Sequence, residues 1–330
     1  MTSPPDSLDT FLGLAGGYAA AKVLTTAAKL GLLAPSCGMI APEAFARACG
    51  TSPKGVRLLL NALVGLGIYE KESETYRMTA DFRRLFAHHP GLADDLIHHD
   101  HLYNVWGRLE EGIRTGRSVP PPEEETRRYP ASLATFLKAM RAHAGTLAGD
   151  LVSAVPWEGI KRLLDIGGGG GGFALVLARR FPQIKITLAD LPDAVTLTKG
   201  MLAAEPEMDR ITFHPCNAYT DPLPPGPFDR IIISHLLHIY PNDDNRVLVA
   251  KAAGRLARGG DLLLLDYFLD DKETTPRQAV LFRLLMMIGT PEGDCYRLSQ
   301  ARDWLREAGL TPGTPRSLSR GNTLLAARKL

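Results

Sequence analysis

Cysteine is scarce in this chain of 330 residues, with only Cys37, Cys49, Cys216 and Cys295. They lie far apart, never form a C-x-x-C pair and have no histidine at metal-ligand spacing beside them, which excludes a disulfide framework and a cysteine-based zinc site. An excess of one charge is also missing: Lys+Arg 38 against Asp+Glu 36 leaves a formal charge of +2. No overall basic field therefore argues for nucleic acid or an anionic membrane surface. Long apolar runs are absent too. Runs such as Leu262 to Leu265 fall far short of the roughly 20 residues a membrane helix needs. The start Met1-Thr2-Ser3-Pro4-Pro5-Asp6 lacks the basic-then-apolar pattern of a signal peptide. With 45% hydrophobic and 22% charged residues, the expectation is a folded, soluble, cytoplasmic protein of one large domain or two ordinary ones, with no membrane or nucleic-acid partner.

What the chain has in plenty is glycine, 32 residues, six of them in the unbroken run Gly167 to Gly172. Ahead of that run the texture is helical. Leu8 to about Leu33 carries apolar residues at helical spacing and ends at Pro35. Pro42 to Ala48 gives a second helix, and Ser52 to Leu66 a third, with Ser52 as N-cap and Pro53 at the first helical position. Ile68 to Tyr69 and Tyr76 to Met78 then flank the charged turn Glu70 to Thr75, which predicts a short hairpin.

Three helices and a hairpin are the pattern of a winged helix, so DNA binding has to be weighed. The third helix reads as buried, since Leu58-Leu59-Leu60-Asn61-Ala62-Leu63-Val64 is apolar around most of its circumference, and Lys54 and Arg57 are its only cations. Glu70, Glu72 and Glu74 occupy the wing. A groove reader needs free polar side chains and a basic face, so this module is expected to be a dimerisation scaffold.

From about Pro90 to Pro156 helices resume around the linker signal Val119-Pro120-Pro121-Pro122-Glu123-Glu124-Glu125. After Lys161, short apolar runs alternate with helical stretches: Arg162 to Ile166, Ile184 to Ala189, Ile211 to Pro215, Arg230 to Ile233 and Asp261 to Asp266. That is βαβ patterning and a mostly parallel sheet. Pro315 to Ser319 and Thr323 to Arg328 around Arg320-Gly321-Asn322 predict a closing hairpin whose last strand is antiparallel. The domains are expected at 1–105 and 106–330, with a helical linker over about 106–156.

The glycine run follows the strand Leu163-Leu164-Asp165-Ile166 and opens a helix, with Asp190 at the end of the next strand. Gly167, Gly169 and Gly172 fit the dinucleotide pattern G-x-G-x-x-G, and Asp190 sits where a ribose-binding acid belongs. Six glycines in a row satisfy any glycine pattern, however, and a ligand-free turn is the bland alternative. Asp165 separates the nucleotide hypotheses: a carboxylate beside the turn repels a pyrophosphate and suits a cation. S-adenosylmethionine (SAM) has no phosphate and offers an ammonium and a sulfonium, and Asp190 can accept from both ribose hydroxyls. SAM is favoured over NAD.

Asp165-Ile166-Gly167-Gly168-Gly169-Gly170-Gly171, Ala189-Asp190-Leu191-Pro192 and His235-Leu236-Leu237-His238-Ile239-Tyr240 resemble three ordered motifs of the SAM-dependent O-methyltransferases of the caffeate and hydroxyindole type. Ala28-Lys29-Leu30-Gly31-Leu32-Leu33 and Leu63-Val64-Gly65-Leu66-Gly67-Ile68 are similar to that family's dimerisation domain. The resemblance implies an α/β, Rossmann-like class I methyltransferase sheet with an antiparallel last strand behind an N-terminal, mostly helical, winged-helix-like dimerisation domain, working as a homodimer. It implies that Asp165, Gly167, Gly168 and Gly169 line the methionine part of SAM, that Asp190 binds ribose and that Leu191 packs by the adenine. Asn217 and Ala218 stand where the family has an Asp and a hydrophobic residue at the adenine, so Asn217 keeps a hydrogen-bonding group and loses the charge. Ser234 falls where the plant enzymes have a lysine.

Methyl transfer to a hydroxyl must align the oxygen with the S–CH3 bond and remove its proton. A phenol with a pKa of about 10 is mostly protonated at neutral pH, and a histidine, ordinarily about 6.5, matches that task. His238 follows the strand Arg230 to Ile233 and coincides with the family's catalytic histidine; capping the next helix is its bland alternative. Asp266 ends the strand Asp261 to Leu265 and matches the acid that orients the histidine, the logic of the Ser-His-Asp triad. The plant His-Asp-Trp is His238-Ile239-Tyr240 here, and a second orienting glutamate falls near Tyr296, which keeps C-methylation of an activated carbon open. Leu281 to Ile288 matches the acceptor-lining helix, pointing to Phe282, Met286, Met287 and Tyr296. His98, His99 and His101 around Asp100 read as a polar helix face, and no metal site is expected. The leading expectation is O-methylation of a small aromatic or conjugated acceptor. C-methylation, a non-catalytic SAM- or DNA-binding regulator and an NAD oxidoreductase are the alternatives.

Overall fold

The computed structural model describes residues 7–34, 36–89, 91–119 and 133–330. Of the linker signal Val119 to Glu125, the part from Pro120 onward lies outside them. The chain divides into two compact units, one up to Leu102 and the other from Tyr103.

In the first unit, α1 (Leu8–Lys29), α2 (Pro42–Cys49) and α3 (Pro53–Gly65) precede the hairpin of β1 (Tyr69–Glu72) and β2 (Thr75–Met78). The start of α3 follows from its sequence: Pro53 occupies the first turn, and the Ser52 hydroxyl accepts from the Gly55 N–H at 3.4 Å. The hairpin turn is tighter than expected, since Glu72 pairs with Thr75 and only Ser73 and Glu74 lie between them. Ile40 adds a single antiparallel bridge to Tyr76 beside this two-stranded hairpin. Leu32, Leu60, Leu63, Tyr76 and Met78 form the core with almost no exposure.

Two expectations for this unit need adjusting. Helix α3 buries only Val56, Leu60 and Leu63, and Leu58 is 59% exposed; a short helix in a small module has only one neighbour face to pack on. Its cation Arg57 is committed to Glu43 and to Glu74, and Arg77 in the wing to Glu70 at 2.7 Å and Glu72 at 2.9 Å. Cations neutralised in this way are poor phosphate contacts. Helices α4 (Ala80–His88) and α5 (Leu92–Trp106) follow. On α5, Asp100 is 6% exposed and takes Lys22 at 2.5 Å, Lys29 at 2.8 Å and Thr25 at 3.1 Å, so the histidine-rich stretch anchors α1.

The second unit opens with α6 (Leu109–Thr115) and α7 (Leu133–Ala154) and then winds β3 (Arg162–Ile166), α8 (Gly172–Arg180), β4 (Lys185–Asp190), α9 (Pro192–Leu202), β5 (Ile211–Pro215), β6 (Phe228–Ser234), α10 (Asn242–Arg255) and β7 (Leu256–Asp266). Helices α11 (Arg277–Gly289) and α12 (Leu298–Glu307) lead to β8 (Leu310–Pro312), β9 (Arg316–Ser317) and β10 (Thr323–Lys329). The sheet order is β5-β4-β3-β6-β7-β10-β8. Strands β3 to β7 pair in parallel, and β10 lies antiparallel to β7. The expected closing hairpin is present as β9 with β10, but the edge belongs to β8, because β10 enters between β7 and β8.

Helices cover both faces of this sheet, which is why its strands read as continuous apolar runs. Ile231, Ile233, Leu262 and Leu264 pack with Leu248, Val249 and Trp304 of α10 and α12, whereas Ile232, Leu263 and Leu265 pack with Leu147, Leu151 and Leu177 of α7 and α8. One charged pair sits in the ladder. Arg230 of β6, 2% exposed, pairs in register with Asp261 of β7, holds its carboxylate through two nitrogens at 2.6 and 2.7 Å, donates to the Pro156 carbonyl and lies over Trp157. Among the described residues no helix is long and apolar enough to cross a membrane.

Candidate active site

Strand order reverses between β3 and β6, which opens a crevice at their carboxyl ends. The glycine run fills the turn leaving β3, and its six residues do two jobs in alternation. Gly167, Gly169 and Gly171 adopt positive φ of 71°, 51° and 74°, a region that side chains with a Cβ occupy at a cost. Gly168, Gly170 and Gly172 stand where a Cβ would collide: with Leu188 at 2.6 Å, with the Leu137 carbonyl, and with the Arg141 carbonyl at 2.6 Å. The last two obstacles are backbone atoms of α7, one turn apart. Gly170 and Gly172 therefore serve helix packing, and Gly168 makes way for Leu188 of β4. At Gly169 a Cβ would meet nothing closer than 3.9 Å, so this is where the turn leaves room for a ligand.

Asp165, under this turn, is 0% exposed, and neither carboxylate oxygen has a partner among the described residues. Burial, and then the neighbouring Asp190, push its carboxyl up to about 7. Asp190 ends β4 and is fastened to the turn: Oδ2 accepts from the Gly169 N–H and Oδ1 from the Leu191 N–H, both at 2.7 Å. Burial raises this carboxyl, and the two N–H groups offset part of that effect. Two crowded acids with spare lone pairs fit a ligand that brings cationic and hydroxyl groups. Leu191 is 47% exposed at the rim. Asn217 differs from the expectation: its Oδ1 accepts from the Tyr219 N–H at 3.0 Å, so the acceptor oxygen holds its own loop and the amide NH2 is the group left to offer. The Ala218 carbonyl accepts from Lys251 at 2.7 Å.

The state of Asp165 has a measurable consequence. The folded chain holds a proton that the unfolded chain releases at about pH 3.9, so raising the pH toward 7 costs stability, and the cost is complete above the folded value of about 7. Ligand-free Asp165→Asn is expected to melt higher than the parent at pH 8, with the difference fading toward pH 4. Thermal melts across that range check it, and a pH-independent difference would contradict the account.

His238 lies in a single helical turn just beyond β6, and Asp266 ends the adjacent β7. The two are 8% and 2% exposed, and His238 Nδ1 lies 2.7 Å from Asp266 Oδ1. The same oxygen accepts from the Tyr267 N–H at 2.8 Å. Burial alone would raise Asp266, yet the imidazole and its hydrogen bond outweigh it and hold the carboxyl below the usual range. The loop bearing Gly293 seals the other side, where the Asp294 N–H donates to the His238 carbonyl at 3.0 Å and a Cβ on Gly293 would sit 2.6 Å from that carbonyl. Leu236 reaches the glycine turn, 3.0 Å from where a Cβ on Gly167 would stand. The turn and the histidine segment are thus in direct contact. Ser234 is buried at the end of β6, opposite Leu265.

Phe282 on α11 meets the His238 ring edge-on at 4.8 Å and Tyr267 at 4.5 Å. Met286 is buried and Met287 half-buried on the same helix, where Met287 faces Gly112 of α6. Tyr296 is not part of this wall. Its ring packs on Trp304 at 5.0 Å, and its hydroxyl donates to the Tyr240 carbonyl, so it holds the core instead. Two residues join the site unannounced. His235, three positions before His238, has φ 50° and rests against Tyr267 at 5.4 Å and His143 of α7 at 5.1 Å. The i, i+3 histidine pair was the available signal for His235; nothing in the sequence marks His143.

A family model for the O-methyltransferase domain matches residues 116–311, and one for the O-methyltransferase dimerisation domain matches 12–87. The chain belongs to the O-methyltransferase family. Among its relatives, the tetracenomycin polyketide synthesis 8-O-methyl transferase TcmO of Streptomyces glaucescens is 32% identical over 327 residues, covering 96% of each chain. The 3-hydroxy-5-methyl-1-naphthoate 3-O-methyltransferase of Streptomyces sahachiroi is 30% identical over 320 residues, covering 93% of this chain and 91% of that one. Human N-acetylserotonin methyltransferase, solved in complex with SAM, superposes with a TM-score of 0.84 at 24% identity over 100% of this chain and 99% of its own, which shows the shared fold. This O-methyltransferase is accordingly a SAM-dependent enzyme with an N-terminal dimerisation domain.

Proposed function

We propose that the enzyme methylates a hydroxyl of a planar aromatic acceptor, with His238 as general base and Asp266 as the group that orients it. The observation that carries this reading is the 2.7 Å contact between His238 Nδ1 and Asp266 Oδ1, closed off from water at the ends of two adjacent strands. Bound at the glycine turn, SAM supplies an electrophilic methyl group. Asp165 and Asp190 answer its cationic and ribose groups, and Leu191 covers its adenine. Asp266 keeps the Nδ1–H in place, which leaves Nε2 as the acceptor for the hydroxyl proton, and the carboxylate stabilises the imidazolium as the oxygen–carbon bond forms. Phe282 and Tyr267 offer ring faces to a flat acceptor and exclude water from the reacting oxygen. The two bacterial relatives are named for 8-O-methyl transfer in tetracenomycin polyketide synthesis and for 3-O-methylation of a hydroxylated naphthoate, and a flat acceptor such as the latter suits this aromatic wall. Incubation with methyl-labelled SAM and a panel of hydroxylated naphthoic and anthracyclic acceptors, followed by mass spectrometry, tests the reading. Label on carbon would overturn it.

The enzyme works as a homodimer in this reading. Helix α1 buries only Thr25, Ala27 and Ala28 within its own chain, while Leu8, Phe11 and Tyr18 are 72%, 60% and 61% exposed. A run of apolar residues on a helix of a dimerisation domain needs a second copy to cover it. Phe11→Glu with Leu12→Glu is expected to convert the dimer to a monomer in light scattering and to lower the melting temperature.

A further inference from the structure

His235, His238 and Asp266 place a ring nitrogen from each histidine and a carboxylate oxygen within 4.8 Å of one another. Two atoms of this cluster are sealed from solvent and have no hydrogen-bond partner among the described residues: His235 Nε2 and Asp266 Oδ2. The dyad described above uses only Asp266 Oδ1, so it explains neither. A buried carboxylate oxygen and a buried imidazole nitrogen left open in one cluster call for a further group. His235 is also held with φ 50°, which costs a residue with a Cβ free energy and aims the ring at its neighbours. The other groups facing the cluster are His143, Phe282 and Tyr267; none of them supplies a second carboxylate.

Two imidazoles and one carboxylate on rigid strand ends are a donor set for a first-row divalent cation such as Zn2+ or Co2+. We propose that this enzyme binds such a cation between His235, His238 and Asp266, and that the cation holds methyl transfer off. The ion takes a lone pair from each histidine and one from the carboxylate. His238 then has no free nitrogen with which to accept the hydroxyl proton, whichever ring atom it ligates, because the other carries hydrogen. The binding half stands on geometry alone; the inhibition half rests on His238 being the base. The sequence pointed away from a metal because the ligands come from two strand ends, with Asp266 far from the histidine pair.

The full-length protein, stripped with a chelator, is titrated with Co2+ by absorbance and with Zn2+ by calorimetry, and methyl transfer is followed in the same samples. One ion per chain is expected, with loss of turnover tracking occupancy. His235→Asn, whose side chain tolerates a left-handed backbone, is expected to keep its melting temperature and, at whatever metal-free rate it retains, to escape the inhibition by Zn2+ expected of the parent. It should bind Zn2+ more weakly by over 100-fold, beyond the roughly 10–100-fold lost with a supporting hydrogen bond. His235→Gln is the second variant should Asn disturb the fold. Equal binding by parent and variants, or binding only at millimolar metal, overturns the site. One-to-one binding that leaves turnover intact overturns the inhibition and the base assignment while leaving the site in place.

Discussion

His238→Ala is expected to lower methyl transfer by roughly 100-fold or more, the usual contribution of a positioned general base, while SAM affinity stays within a few-fold. The separation of the two effects follows from position. His238 lies beyond β6, whereas Asp165, Asp190 and the glycine turn lie at the ends of β3 and β4, and Leu236 reaches from one to the other. The substitution removes a side chain from a buried place without touching Asp190 or the glycine turn. Asp266→Asn is expected to fall in the same direction, since an amide in place of the carboxylate can no longer stabilise the imidazolium. Single-turnover rates with saturating SAM, set beside calorimetric SAM binding, make the comparison. Equal losses in rate and affinity would show that His238 is architecture for the cofactor site.

Gly170→Ala is expected to be the most damaging small substitution in the chain. Its new methyl would press on the Leu137 carbonyl and lie 2.9 Å from the Arg141 Cβ. A helical backbone oxygen of α7 cannot rotate away, so either the helix or the turn has to move. Overpacking typically costs about 1–3 kcal/mol, and a collision with backbone belongs at the upper end. Gly169→Ala is the control: it meets nothing closer than 3.9 Å but sits at φ 51°, where the left-handed backbone costs about 1–2 kcal/mol. The first variant should lose stability and SAM binding together. The second should fold with a modest penalty. Urea midpoints and SAM calorimetry on the pair distinguish them, and equal stabilities would remove helix packing as the reason for a run this long.

The parallel strands were legible because burial on both faces leaves short continuous apolar runs, and Leu262 to Leu265 shows it: alternate residues feed opposite cores. Helix α3 was legible from Ser52 and Pro53. The faces of α1 and α3 were not, because a sequence pattern records that a residue is apolar and not which chain covers it. The glycine run announced a ligand turn, but the division of labour within it depends on carbonyls of α7 about 30 residues upstream. Tyr296 sat at the right place in the chain for the acceptor wall; its hydroxyl found a carbonyl and its ring found Trp304. His235 shares its motif with His238, and spacing along the chain does not settle which of two histidines meets the carboxylate.

The ion pair between Arg230 and Asp261 bears on how reliably the enzyme is assembled. These residues face each other in the same ladder that, four steps along, sets Ser234 against Leu265 and so brings His238 to Asp266. A slip of one position would turn every side chain of one strand to the opposite face. An apolar ladder of Ile and Leu would tolerate that, because both faces are greasy. Arg230 would not: its guanidinium would lose its carboxylate in buried surroundings, at about 3–5 kcal/mol. The pair acts as a proofreading device, rejecting misaligned chains at one end of the strands so that the chemistry at the other end is in line in every molecule that folds.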